Sequence, residues 1–335
     1  MSKRLILHIG AEKTATTFIQ NYMSVNRENY KEQGVLYPKT SFGEHAQFSL
    51  IAALHDIDHG FGLEFAPKGK AFSIESEWMP LINRLNKQSK FHTVLISAEH
   101  FSSRLKDKGL ETLSEILGQL EGYEIEVIYY FRRQDDFFQS WYSTHIKAGG
   151  YKTLKQALID DFKNHWFFDI YYLIEKWKNV LPNAKFHIRP YDYVSKNIGM
   201  IKDFTTVLDL PVLDNALTPN LDRNESWSPY MLAIARHINE FFQPETLEKR
   251  YQILEFIASN FQRDEKIKNL LSVDIKKKIL NEFDESNRKL CLEYNINYDL
   301  IFSDPVESKF VNPDGIEVND LKLTKVLIEA IKASL

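Results

Sequence analysis

Leu5-Ile6-Leu7-His8-Ile9-Gly10-Ala11-Glu12-Lys13-Thr14-Ala15-Thr16-Thr17-Phe18-Ile19-Gln20 is the stretch on which the reading of this chain turns. Its first five residues form a short apolar run, the pattern of a buried strand. Gly10 offers a turn. Phe18, Ile19, Tyr22 and Met23 then recur at helical spacing. Between strand and helix stand Lys13, Thr14, Ala15, Thr16 and Thr17. The first N–H groups of a helix have no internal partner, and the helix dipole adds positive potential there. With a lysine and three hydroxyls beside it, such an end reads as a cradle for phosphate or sulfate. The same residues also admit a plainer reading, a strand-to-helix turn with Thr14 as N-cap. The nucleoside-triphosphate loop G-x-x-x-x-G-K-[ST] is not met, since only Gly10, Lys13 and Thr14 carry over and the spacing is too short.

The rest of the chain is of ordinary globular composition. It has 335 residues, 44% hydrophobic and 26% charged, enough for one large domain with an appendage or for two. A net charge of −4 argues against a general nucleic-acid surface. Cys291 is the single cysteine, so no internal disulfide forms. With no secretory leader evident, a reducing, cytoplasmic setting is expected. No apolar stretch has the length of a membrane span. Nothing in the sequence specifies an oligomeric state.

Further along, Val35–Tyr37 reads as a short extended piece. A helix is expected through Phe48, Leu50, Ile51 and Leu54. His45, His55 and His59 surround it, but their spacing and the lack of companion ligands speak against a metal site. Thr93–Ser97 is a second buried strand, followed by Ala98, Glu99 and His100. Polar side chains past the carboxyl end of a buried parallel strand stand where open α/β sheets bind ligands. They could equally cap the next helix. Glu126–Phe131 is a third strand, ending in Arg132 and Arg133. The helix after it carries Phe137, Phe138, Ser140, Trp141, Tyr142 and Ile146. Two arginines and a serine there can grip one phosphate. They can equally pair with Asp135, Asp136 and Glu126. Lys185–Arg189 is a fourth strand, followed by Pro190, Tyr191 and Asp192. Helical patterns fill 75–87, 110–120, 154–163, 171–181 and 200–208. Strands alternating with helices predict a mainly parallel sheet covered on both faces. From about Pro211 the patterns are helical only: 230–242, 247–260, 273–294 and a tail, Leu321–Leu335, with Ser228 and Pro229 as an N-cap and first-turn pair. The expected division is an α/β core over 1–215 and a helical subdomain over 216–335.

Two of these stretches together resemble the sulfotransferases that use 3′-phosphoadenosine 5′-phosphosulfate (PAPS), in their bacterial, carbohydrate-type form. Lys13-Thr14-Ala15-Thr16-Thr17 is similar to that family's 5′-phosphosulfate loop, commonly Lys-Thr-Gly-Thr-Thr. Ala15 replaces the glycine, and a positive φ there would strain it. Tyr130-Phe131-Arg132-Arg133-Gln134-Asp135-Asp136-Phe137-Phe138-Gln139-Ser140 resembles the 3′-phosphate motif, an arginine at a strand end and a serine eight positions later. His8-Ile9-Gly10, Asn26-Arg27-Glu28, Ser97-Ala98-Glu99-His100, Arg189-Pro190-Tyr191 and Asn224-Glu225-Ser226-Trp227-Ser228 also look like bacterial members. The likeness covers about residues 5–230.

The resemblance implies a P-loop-like α/β fold and transfer of a sulfuryl group from PAPS, as co-substrate and without a metal, to a hydroxyl acceptor. A saccharide or glycan precursor is the acceptor expected, and the 13% of aromatic residues can furnish stacking faces for it or simply core. Lys13, Thr14, Ala15, Thr16 and Thr17 would hold the phosphosulfate, Arg132 and Ser140 the 3′-phosphate, and Tyr191 the adenine. Lys13 would neutralise the leaving phosphate. The base is expected among Glu99, His100 and His45, with Glu99 preferred. Two other functions fit parts of the pattern: a nucleotide-dependent kinase using the same cradle, and a non-catalytic nucleotide-binding protein on the same fold. The Arg132–Ser140 pair separates the first from a sulfotransferase, because ATP has no 3′-phosphate.

Overall fold

The computed structural model describes residues 3–60, 66–67, 69–87, 90–162, 164–219, 227–240, 247–260 and 267–316. Five strands make one sheet in the order β2-β3-β1-β4-β5: β1 is Lys3–His8, β2 Val35–Leu36, β3 Thr93–Ser97, β4 Tyr123–Phe131 and β5 Lys185–Pro190. Every pairing is parallel. The four expected strands are present, and the short extended piece after the first helices adds the edge strand β2.

β1 is the middle strand, paired with β3 on one side and β4 on the other. Leu5, Ile6 and Leu7 are fully buried. Successive side chains in a strand point to opposite faces. Ile6, Leu95, Ile128 and Tyr130 therefore face one layer, where Ile19, Tyr22 and Met23 of the helix Thr16–Val25 and Phe204 of the helix Met200–Val207 complete the core. The helices Phe48–His59 and Ile170–Val180 each pack against Asp107–Leu117, and Phe101 stands edge-on to Trp177. The register sets His8, the last residue of β1, opposite Ser97 on β3 and Ile128 on β4. The strand order reverses at β1, so its carboxyl end is the place where such sheets bind ligands.

By contacts the chain groups into two compact units that interleave along the sequence. The first is Met1–Arg132 with Asp169–Asp222 and Glu285–Ile301; the second is Arg133–Phe168 with Arg223–Asp284 and Phe302–Leu335. The sequence reading drew a single cut at 215 instead. The first unit carries the sheet. The second is helical among its described residues, with Gln134–Lys147, Leu154–Asp160, Pro229–Asn239, Leu247–Asn260 and Val273–Glu282. Its core is aromatic: Phe138 packs with Tyr142, Phe162 and Phe168. Asn239 caps the carbonyls of Ile146 and Gly150 at the end of the first of these helices.

Several local expectations change. Arg27–Glu32, His100–Arg104 and Tyr191–Asn197 are helical, though too short to show a period. The pattern over 273–294 is two helices, Val273–Glu282 and Asp284–Glu293, broken at Phe283, whose ring packs edge-on against Phe162. Ser228 caps its helix as expected, accepting from the Met231 N–H at 3.2 Å with Pro229 in the first turn. The tail Leu321–Leu335 and Asn224–Ser226 lie outside the described residues. No helix among the described residues is long and apolar enough to cross a membrane.

Candidate active site

The loop between β1 and the helix Thr16–Val25 is tightly wound. Gly10, Lys13 and Ala15 all have positive φ, at 31°, 67° and 59°. Ala15, not Thr14, is the N-cap, and no side chain caps this helix. Thr14 turns inward instead, its hydroxyl donating to the Ala11 carbonyl at 2.7 Å, which fixes the turn. The first helical bond runs from the Ile19 N–H to the Ala15 carbonyl. The N–H groups of Thr16, Thr17 and Phe18 thus have no acceptor within the helix. Lys13 and Thr17 are exposed at this end, while Thr14 and Thr16 are buried. The result is a concentration of donors and positive charge with no capping side chain among the described residues, and it suits an anion.

The loop is tied down by the residues that follow β3. Ser102 donates to the Gly10 carbonyl. Ser103 donates to Glu12 at 2.9 Å, and the Arg104 guanidinium lies 3.7 Å from the same carboxylate. The Thr16 hydroxyl donates to Glu99. Glu99 therefore stands at the cradle, where the parallel β1–β3 pairing carries it. Burial pushes its carboxyl above the usual range, with the charge of Glu12 adding to the effect; Thr16, Lys13 and Arg104 pull the other way. A carboxylate so placed is a stronger proton acceptor.

His100 does not share that position. The backbone turns helical at Glu99, so the two side chains do not alternate as in a strand. His100 is buried, its ring edge-on to Phe48 at 5.2 Å. Burial, with Arg104 and His55, pushes its pKa down to about 3, so it is neutral at ordinary pH. His45 is held at the other end of the first helix, its Nδ1 3.1 Å from the Ser24 hydroxyl. Ser24 is eight residues past Thr16, about 12 Å along a helix axis. Of the three candidate bases, Glu99 carries a hydrogen bond from a residue of the open helix end, the Thr16 hydroxyl. His55 and His59 stack on one another at 4.0 Å. Among the described residues no group of three His, Cys, Asp or Glu side chains is placed to hold a metal.

At the end of β4, Arg132 bonds through Nε to Asp192 at 3.2 Å and lies over the Tyr191 ring, 5.7 Å from its centre. The β4–β5 pairing explains this, since Phe131 lies opposite Pro190. Arg132 and Tyr191 are thus together in the first unit. Arg133 is bidentate on Asp135, at 3.0 and 2.8 Å. Asp136 is within 3.9 Å of Lys276, and Glu126 holds Arg4 and His187. Of the charge cluster allowed by the sequence, the Arg133–Asp135 pair is present. Ser140 lies half-buried on the helix Gln134–Lys147 of the second unit, so its spacing from Arg132 stays a sequence observation.

Sequence reasoning passed over Gln47, Ser102, Ser103 and Arg104, and it quoted His8 and Ser97 only as parts of the family likeness, without a role. His8 and Ser97 sit inside apolar strands and look like core there. Ser97 is clamped by Gln47, which receives its N–H at 2.7 Å and donates its own N–H to its carbonyl at 3.1 Å.

Compared with known proteins, the chain matches no family model. An uncharacterized protein of Archaeoglobus fulgidus is 27% identical over 171 residues, half of this chain and 45% of that protein. The match therefore spans less than half the length of that curated relative. Among solved structures, a sulfotransferase from Alicyclobacillus acidocaldarius superposes with a TM-score of 0.48 and 9% identity over 90% of this chain and all of that one.

Proposed function

We propose that this protein transfers a sulfuryl group from PAPS to a hydroxyl of a saccharide or similar small polar acceptor. The observation that carries the reading is the open helix end at Thr16–Phe18 with Lys13 exposed beside it and Glu99 hydrogen-bonded to Thr16. PAPS supplies an activated sulfuryl group on a 5′-phosphate and carries a second phosphate at the 3′ position. The residues present fit it. The unpartnered N–H groups and the Thr17 hydroxyl would hold the 5′ end, and Lys13 would offset charge growing on the leaving phosphate. Arg132 engages Asp192 through Nε alone among the described residues, which leaves its Nη groups for the 3′-phosphate, with Ser140 assigned to the same group by the sequence motif. Tyr191 would lie along the base. Glu99 would take the acceptor's proton.

A kinase is the second reading, and one contact favours it. A cradle hydroxyl joined to a carboxylate at the end of the neighbouring strand, as in Thr16–Glu99, is also how ATP sites hold Mg²⁺. The two readings separate on incubation with a saccharide panel and either PAPS or Mg·ATP, products being identified by mass. Sulfated product from PAPS that is lost in Glu99→Gln supports the first reading; phosphorylated product from ATP alone supports the second.

A further inference from the structure

His8 is fully buried at the end of β1, and its Nε2 has no hydrogen-bond partner among the described residues. Its Nδ1 lies 2.8 Å from the Ser97 hydroxyl, and Ser97 is itself fixed by Gln47. Tyr130 and Phe204 meet the ring edge-on, at 6.1 and 5.4 Å. A buried polar atom left bare costs free energy, and a site that keeps one invites a reason.

Gly10 shows what Nε2 faces. A methyl group added there would collide with Thr16 Cγ2, lie 3.4 Å from His8 Nε2 and 3.7 Å from the Glu99 Cα. The Thr16 methyl, His8 Nε2 and the Glu99 backbone thus converge over one bare α-carbon. Threonine in a helix divides between two χ1 rotamers. A turn of about 120° about Cα–Cβ, between staggered wells, would carry the Thr16 hydroxyl off Glu99 and toward the His8 side.

We propose that His8 is a positioning residue: its bare Nε2 accepts the Thr16 hydroxyl whenever Glu99 gives that hydroxyl up. In the free protein the hydroxyl rests on Glu99. When the acceptor's hydroxyl takes its place there, Thr16 turns to His8 and loses no hydrogen bond. No covalent bond changes; one hydrogen bond is exchanged for another. The arrangement requires His8 Nδ1–H to donate to Ser97 and Nε2 to be the unprotonated nitrogen. Burial holds the His8 pKa down to about 3, so the imidazole stays neutral throughout. The groups that bear on Glu99 are Glu12 and Lys13 from the loop, Thr16 from the helix and Arg104 from the segment after β3. Only the use of the exchange by an acceptor rests on the proposed function; the exchange itself is a property of the protein alone.

The test therefore uses the ligand-free protein, labelled with ¹⁵N-histidine and titrated by NMR from pH 8 to pH 4. Protonating Glu99 weakens it as an acceptor and should send the Thr16 hydroxyl to His8. The expected result is an unprotonated His8 Nε2 whose signal moves upfield as Glu99 takes its proton, while the ring itself does not titrate. The move should persist in Thr16→Ser and vanish in Thr16→Val and in Glu99→Gln; if the valine variant does not fold, the glutamine variant decides. A protonated Nε2, no move in the unmodified protein, or a move that survives loss of the hydroxyl or the carboxylate overturns the proposal. None of these outcomes touches nucleotide choice, which is tested separately.

Discussion

The Thr16 hydroxyl, on the first turn of the helix after β1, donates to the Glu99 carboxylate just past β3. This one bond joins the open end of that helix to the Glu99 carboxylate and brings together residues 83 positions apart. It also makes both the chemistry and the stability of the site depend on the state of Glu99.

Glu99→Gln is expected to lower sulfuryl transfer by about 10²–10⁴-fold, the usual loss with a general base. It should leave nucleotide binding intact, since the amide keeps the shape and a bond to Thr16. It should also raise the melting temperature at neutral pH. The folded-state pKa of Glu99 is raised, so the folded protein loses stability as pH climbs from the ordinary carboxylate value of 4.5 through the raised one. Glutamine has no charge to desolvate. Thermal melts of both proteins at pH 4 and pH 8 check this: the gain should be present at pH 8 and shrink at pH 4. A melting temperature that falls at pH 8 would contradict it.

The two buried histidines act in the opposite direction. His8 and His100 are held near pKa 3, against 6.5 when unfolded. The unfolded chain binds the extra protons between those values, so stability is complete above about pH 6.5 and drains away as pH falls toward 3. His100→Asn should flatten the decline of melting temperature between pH 7 and pH 5 and lower activity far less than Glu99→Gln does. An unchanged slope would show that His100 is not held neutral.

Lys13→Ala should cut the maximal rate much more than it weakens binding of adenosine 3′,5′-bisphosphate. Its charge counts most when the bridging oxygen gains charge, and only such differential binding raises a rate. A variant that loses affinity while keeping its rate would show that Lys13 merely binds.

Ala15 has φ 59°, a conformation that costs a non-glycine residue roughly 1–2 kcal/mol. Ala15→Gly is expected to be at least as stable as the parent in urea. Ala15→Val, with a branched side chain in the same place, should lose about 1–2 kcal/mol or more. Equal midpoints for all three would mean that the loop does not hold this conformation in solution.

What the sequence disclosed and what it hid follow from the range of the forces involved. The strand-turn-helix at residues 5–20 was legible because periodicity and turn residues are local. So were β3, β4 and β5. The sequence raised a positive φ at Ala15 only as a condition, through the glycine it replaces, and the backbone there has φ 59°. Thr14 as N-cap was the natural reading of a hydroxyl before a helix, yet that hydroxyl bonds back to Ala11 and leaves the helix end open. Glu99 and His100 are not separated by a strand's alternation, because the backbone turns helical at Glu99. Ser102, Ser103 and Arg104 left no signal, since their role arises only when β3 pairs beside β1 and brings them over the loop.

Nucleotide choice tests the central claim most directly. Thermal shifts should be measured with adenosine 3′,5′-bisphosphate, ADP, ATP and AMP, because a ligand bound only to the folded state raises the melting temperature by mass action. The account predicts that the bisphosphate stabilises the protein more than ADP does. It further predicts that Arg132→Ala removes that difference, at a cost of roughly 1.5–3 kcal/mol in bisphosphate binding, the range for a charged hydrogen bond. Equal shifts for the bisphosphate and ADP, unaffected by Arg132→Ala, would contradict the sulfotransferase reading and favour the kinase.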